Sequence, residues 1–283
     1  MVARRRLPPR AEPMLLTERD QRIVHWIHGA ELATREHVQQ LFFRHGSRSL
    51  CQRRLTLLYR NRYIEKLPNR ALSAPDVYRV SRHCTNGVRL LRAMIPEEPL
   101  QLGQVKARTV EHTLDIASFR IAVIRACERA GFQLLHWRSA AELARMMGTA
   151  GVIPDAYLQI ERPTPDGPRR SSFFVEIQRS AQSQQALEEK CRRYGAYYYG
   201  GEYARAFGTR ALRVLVAIGS DYGINPDRQI RRLLNVCTRL QVTFVMAAGL
   251  DGLKRLAPPD VLTEPVWHSH AHEGQSLTAL FPS

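Results

Sequence analysis

Apolar positions recur every three or four residues over the first third of the chain, then increasingly as short runs and alternations. Ile23, Val24 and Ile27 form a helical stripe behind Thr17, which is placed to cap a helix with Asp20 three residues on. Thr34 is a second cap, ahead of Val38, Leu41 and Phe42. His45-Gly46-Ser47 closes that short helix and opens a third, to about Arg60, with Leu50, Cys51, Leu55, Leu57 and Leu58 as its apolar arc. Arg54 falls inside this arc and is expected to snorkel out to water. The runs 63–67 and 77–80, on either side of a loop with Pro68, Asn69 and Pro75, predict a two-stranded hairpin. An amphipathic stretch at 82–94 carries Val88, Leu91 and Met94, and Pro96-Glu97-Glu98-Pro99 then marks a boundary.

The remaining pattern predicts a helix over 109–130, a strand at 132–137, and two strands at 156–160 and 173–177 joined by a Pro/Gly/Asp-rich turn. A helix over 182–199, a buried strand at 212–218, a helix over 228–240 and a strand at 242–247 follow. The fold class is therefore α/β (α+β), with a second module of order αβββαβ(αβ) sandwiching a mixed sheet. The expected division is 15–94, a linker at 95–108, 109–250, and a tail at 251–283.

Three short helices followed by a hairpin resemble a winged helix-turn-helix. In that fold the third helix enters the major groove, where Arg and Gln reach base edges. Ser49, Gln52, Arg53, Thr56 and Arg60 share one face of the third helix, and with Arg48, and Lys66 and Arg70 on the wing, they are the candidate DNA contacts. Charge points the same way. Lys and Arg number 42 against 26 Asp and Glu, a net charge of +16, which favours a polyanionic partner. Residues 1–108 carry 21 basic and 9 acidic side chains, whereas 109–283 carry 21 and 17, so the footprint is mainly N-terminal. The expected partner is double-stranded DNA.

The five cysteines, Cys51, Cys84, Cys127, Cys191 and Cys237, show no metal-ligand spacing and read as reduced core residues of a cytoplasmic protein. The start, MVARRRLPPRAEP, lacks the apolar stretch of a secretion signal, and no run is long enough to span a bilayer. No phosphate-binding GxxxxGK[ST] loop is present. His268, His270 and His272 alternate near the end, either as one face of a strand or as a polar segment.

The hairpin carries the candidate chemistry. Asp155 sits at the mouth of its first strand, and Glu176 and Gln178 point to one side of its second, because strand side chains alternate. This PD...ExQ arrangement resembles the PD-(D/E)xK nuclease signature, with Gln178 where that signature has lysine. The resemblance implies Mg²⁺ held by Asp155 and Glu176, and Mg²⁺ suits one or two carboxylates completed by waters and phosphate. A neutral amide orients water but brings no positive charge. Lys190 on the following helix, with Tyr194 one turn later, is the candidate for the missing cation, against a plain solvated face among Glu188, Glu189, Arg192 and Arg193. His112 and Asp115 on the 109–130 helix are further candidates for the cleft.

VEHTLDIASFRIAV, PDAYL, FFVEIQRS and EEKCRRYGAYY, behind the winged helix, together resemble the replication-relaxation family of bacterial plasmid and mobile-element proteins over about residues 15–250. The resemblance implies DNA transactions in plasmid replication, relaxation or mobilisation, with replication or mobilisation proteins as partners. Three functions stay open: a DNA-binding protein with a nuclease-like scaffold, an active Mg²⁺-dependent endonuclease or nickase, and a homodimeric winged-helix regulator of transcription.

Overall fold

The computed structural model describes residues 13–43, 46–67, 74–100, 102–103, 110–148, 151–220, 223–255, 260–271 and 274–281. The chain divides into two compact units, Met1–Ile121 and Ala122–Ser283.

The first unit runs α1 (Glu18–Gly29), β1 (Ala33–Thr34), α2 (Arg35–Phe42), α3 (Arg48–Arg60), β2 (Glu65–Lys66), β3 (Val77–Arg79), α4 (Thr85–Met94) and the first half of α5 (Val110–Ala130). Local chemistry sets the helix starts. The Thr17 hydroxyl accepts the Asp20 amide, and the Asp20 carboxylate accepts the Thr17 N–H at 2.8 Å, a reciprocal cap on α1. At α2 the acid's part is taken by histidine, since His37 Nδ1 accepts the Thr34 N–H at 3.4 Å. The three strands form an antiparallel sheet in the order β1-β3-β2. Ile23, Ile27, Val38, Leu55, Leu58, Ile64 and Tyr78 make the core beneath them.

Two expectations for α3 change. Arg54 does not escape to solvent: its Nε donates to Asp20 Oδ1 at 2.9 Å and a second guanidinium nitrogen pairs with the other oxygen, while the Asp20 side chain is fully buried. The arginine stays in the apolar arc because a carboxylate comes with it. Leu50 is 45% exposed, because it sits about 100° round the helix from the buried Cys51-Leu55-Leu58 row. The division between units falls inside α5 rather than at 95–108: Ala117 and Ile121 belong to the first core, and Leu100 and Leu102 pack against it.

Gly87 in α4 marks a close approach. A Cβ there would lie 2.1 Å from the Tyr63 carbonyl oxygen, and the Gly87 N–H donates to the Arg62 carbonyl at 3.2 Å. Gly87→Ala is expected to lower stability by about 1–3 kcal/mol, read by chemical or thermal unfolding, because neither backbone segment can retreat without breaking that bond.

The second unit continues with β4 (Gln133–Ser139), α6 (Ala140–Met147), β5 (Ala156–Arg162), β6 (Arg169–Gln178), α7 (Gln184–Tyr199), α8 (Glu202–Phe207), β7 (Arg213–Ile218), α9 (Pro226–Arg239), β8 (Val245–Gly249), α10 (Leu250–Arg255), α11 (Asp260–Thr263), β9 (Trp267–Ala271) and β10 (Gly274–Thr278). Its mixed seven-stranded sheet has the order β10-β9-β8-β7-β6-β5-β4. The β6-β7 and β7-β8 pairs are parallel, as their helical crossovers require, and the outer pairs are antiparallel. Phe174, Val214, Val216 and Ala247 on one sheet face pack with Leu187 and Tyr194 of α7 and Leu233 and Leu234 of α9.

The segment after residue 250 is more than a tail. β9 pairs with β8 at Met246↔Ser269, and fully buried Trp267 donates its Nε1–H to the Val261 carbonyl at 2.9 Å. His268 and His270 are positions of β9, and His272 lies outside the described residues. All five cysteines are buried and free, with the Cys191 and Cys237 sulfurs 3.6 Å apart between α7 and α9. Among the described residues no helix is long and apolar enough to cross a membrane.

Candidate active site

The pairing of β5 with β6 sets the site. Ala156 stands opposite Val175, so Asp155, one residue before β5, lies beside Glu176. The Asp155 N–H donates to the Val175 carbonyl at 3.0 Å, and its Oδ2 accepts the Ile177 N–H at 2.7 Å. Alternation along β6 puts Phe174, Glu176 and Gln178 on the face that meets α7, where the Phe174 and Tyr194 rings stand 6.2 Å apart.

α7 starts behind Ser183, whose hydroxyl accepts the Ala186 N–H at 3.2 Å. That start fixes which α7 side chains face β6. Lys190 Nζ donates to Glu176 Oε2 at 3.0 Å, and the Tyr194 hydroxyl donates to the other carboxylate oxygen. Glu176 is 7% exposed, so both its oxygens are engaged by α7 away from bulk water. Burial pushes its carboxyl above the usual glutamate range; the Lys190 charge pulls it back and the neighbouring Asp155 adds to the rise. The Tyr194 phenol is held well above its ordinary value, first by burial and then by the Glu176 charge, so Tyr194 is the proton donor of that bond.

Gln178 is buried, and its Nε2 donates to the Ser180 carbonyl at 3.1 Å, which ties down the turn into α7. A pocket of about 330 Å³ opens beside Glu176, between α7 and Gly151–Ile153, with Lys190 and Arg193 on its wall. Two adjacent carboxylates are of the kind a Mg²⁺ ion takes with waters on its other positions, and Glu176 is raised first by burial and then by the Asp155 charge. Among the described residues no group of three or more His, Cys, Asp or Glu side chains is placed to hold a metal.

The structure therefore brings Asp155, Glu176, Lys190 and Tyr194 together and turns Gln178 to a backbone carbonyl. His112 and Asp115 lie in the part of α5 that belongs to the first unit. In that unit Arg48, Ser49 and Arg53 are exposed on α3, and Arg60 is half-buried. Gln52 Nε2 donates to the Tyr78 hydroxyl at 3.4 Å, and the Thr56 hydroxyl donates to the Gln52 carbonyl at 2.9 Å. Lys66 is engaged by Asp76 at 2.6 Å and lies 5.6 Å from the Tyr59 and Tyr78 ring centres. Arg70 lies outside the described residues. Arg193 was not singled out from sequence, although its spacing of three from Lys190 on one helix placed it on the same face.

A seven-stranded mixed sheet with helical crossovers, preceded by a small helical unit with a three-stranded sheet, defines a mixed α/β protein. The sequence of residues 24–211 matches the replication-relaxation family, and the chain belongs to that family. No curated protein matches it. Among solved structures it is similar to the restriction endonuclease FokI bound to DNA, at 12% identity and a TM-score of 0.27, over 83% of this chain and 43% of that one. The chain thus spans less than half the length of that nuclease.

Proposed function

We propose that this protein binds duplex DNA of a bacterial mobile element through its first unit and handles phosphodiesters at the Asp155–Glu176 site of its second, as a Mg²⁺-dependent endonuclease or nickase. The observation that carries the reading is Glu176: a buried carboxylate beside a second carboxylate, gripped by a lysine and a phenol on one helix, at a pocket with a further arginine. Perturbed carboxylates of this kind concentrate at sites of chemistry.

In this reading Asp155 and Glu176 hold the cation. When bound, Mg²⁺ polarises a phosphate and makes attack by water easier. Lys190 supplies the positive charge that Gln178 lacks and stabilises charge growing on the phosphate, while Tyr194 fixes the carboxylate it donates to. Gln178 serves the turn to Ser180 rather than the reacting water. The first unit is read as a winged helix-turn-helix, with α3 presenting Arg48, Ser49 and Arg53 to the major groove. The basic excess of residues 1–108 supports that assignment.

The test is supercoiled plasmid incubated with Mg²⁺ or Mn²⁺. Nicking by the wild type is expected, with a loss of about 100-fold or more in both Asp155→Asn and Glu176→Gln. Absence of cleavage by the wild type, alongside salt-sensitive DNA binding that both variants keep, sinks the nuclease half and leaves a DNA-binding scaffold or a regulator.

A further inference from the structure

The pocket beside Glu176 has more structure than a phosphate needs. Gln182, Ala186, Glu189, Lys190 and Arg193 fall along one side of α7 and its N-terminal approach, facing the 151–153 segment. The wall is mixed: Val152, Ile153 and Ala186 are apolar, and Lys190 and Arg193 are cations. Arg193 is steadied by Glu189 and by the Gly151 carbonyl, to which it donates at 3.4 Å. Gln182 breaks the pattern. Its side-chain amide oxygen is buried and accepts no hydrogen bond among the described residues.

A buried acceptor without a donor needs an explanation, and here it lines a cavity. Phosphate cannot supply the donor, because a phosphodiester offers only acceptor oxygens. An unpaired base can, since adenine offers its N6 amine, cytosine its N4 amine, guanine its N1–H and N2 amine, and thymine its N3–H. The volume, about 330 Å³, is at the lower end of the range for small-ligand clefts and takes one nucleotide, not a duplex. In a duplex, moreover, the Watson–Crick edge is paired and the base face is stacked.

We infer that this pocket is a subsite for a single unstacked, unpaired nucleotide, its phosphate at Lys190 and Arg193, its base against Val152 and Ala186, and a Watson–Crick N–H of the base donating to Gln182. The inference rests on the reading of Glu176 and Lys190 as a phosphodiester site. It narrows the substrate to single-stranded DNA, or to duplex from which one nucleotide is extruded, with unpairing borne most easily where the strands are already open.

The experiment titrates the full chain with deoxyadenosine, deoxycytidine and thymidine 5′-monophosphates and with 2-deoxyribose 5-phosphate, by calorimetry. The three nucleotides are expected to bind at least about 10-fold more tightly than 2-deoxyribose 5-phosphate, the discrimination one good base contact provides. Gln182→Ala is expected to remove that preference, leaving affinity for 2-deoxyribose 5-phosphate unchanged. Ala186→Trp, a substitution at an exposed helix position, is expected to fill the pocket and abolish nucleotide binding with the circular dichroism spectrum intact. Nucleotide affinities no higher than that of 2-deoxyribose 5-phosphate, binding retained by Ala186→Trp, or no nucleotide binding at all overturns the subsite. Lys190→Ala separates the two ideas. If it abolishes binding of 2-deoxyribose 5-phosphate while the wild type binds the nucleotides no more tightly than that sugar phosphate, the phosphate site stands and the base subsite falls; if it changes nothing, the phosphodiester reading falls as well.

Discussion

Lys190→Met is expected to lower metal-dependent nicking by about 100- to 1,000-fold and to move the acidic limb of its pH profile upward. Glu176 must be ionised to hold a cation, and burial already places its carboxyl above the ordinary glutamate value. Nicking by the wild type should therefore rise with pH through a midpoint above about 4.3. The Lys190 charge opposes the effect of burial, so its loss raises that midpoint further. The stability linkage has the same origin. A carboxyl raised on folding binds its proton more tightly in the native state, so stability declines as pH climbs from the unfolded value toward the native one. Lys190→Arg keeps the charge and should restore much of the limb's position. A rate loss with no movement of the limb would make Lys190 a support for the helix and remove it from the chemistry.

Asp20→Ala is expected to destabilise the first unit by about 3–5 kcal/mol, out of the roughly 5–15 kcal/mol typical of a domain. The substitution strands Arg54 in an apolar arc and removes the reciprocal cap of α1 together. Urea unfolding monitored on the isolated variant and on Asp20→Ala/Arg54→Leu separates the two contributions. The double variant should recover most of the loss, because removing both charges leaves none buried alone. Recovery of nothing would show that the cap, and not the ion pair, accounts for the effect. DNA affinity should fall with stability, since this pair ties α1 to the helix that carries Arg48 and Arg53. The pH dependence has the opposite sign to that of Glu176. Burial alone would raise the Asp20 carboxyl, but hydrogen bonds from Arg54 and Thr17 outweigh it and hold it below its usual value. Its contribution is present above about pH 3.9 and is lost as the pH falls through the lower native value.

What could be read from sequence was local. Thr17 with Asp20, Thr34, and the paired runs on either side of the Pro/Gly turn fix their elements within a few residues, and each appears in the structure. Lys190 and Tyr194 could be placed on one face because helix geometry needs only a spacing of four. Features that depend on distant partners were hidden. Arg54 meets Asp20 across 34 positions, so its charge looked misplaced in an apolar arc. α6 is eight residues long and follows β4 without a loop, and only the Ser139–Glu142 capping box announced it. β9 carries alternating histidines and takes its place in the sheet from β8 and from the bond of its first residue, Trp267, to Val261, neither of which its own pattern reveals.

The aromatic cluster under β6 has a consequence for how the protein tolerates change. Phe174 touches Tyr194, Tyr197, Tyr203 and Phe207, and Glu176 follows it by one alternation on the same strand face. Tyr194 is thus both a core ring and the phenol that holds the carboxylate. The site has no hinge of its own between scaffold and reactive group. Substitutions at Tyr197, Tyr203 or Phe207 that the fold survives are therefore expected to disturb the Tyr194–Glu176 bond as well, although none of those residues lines the pocket.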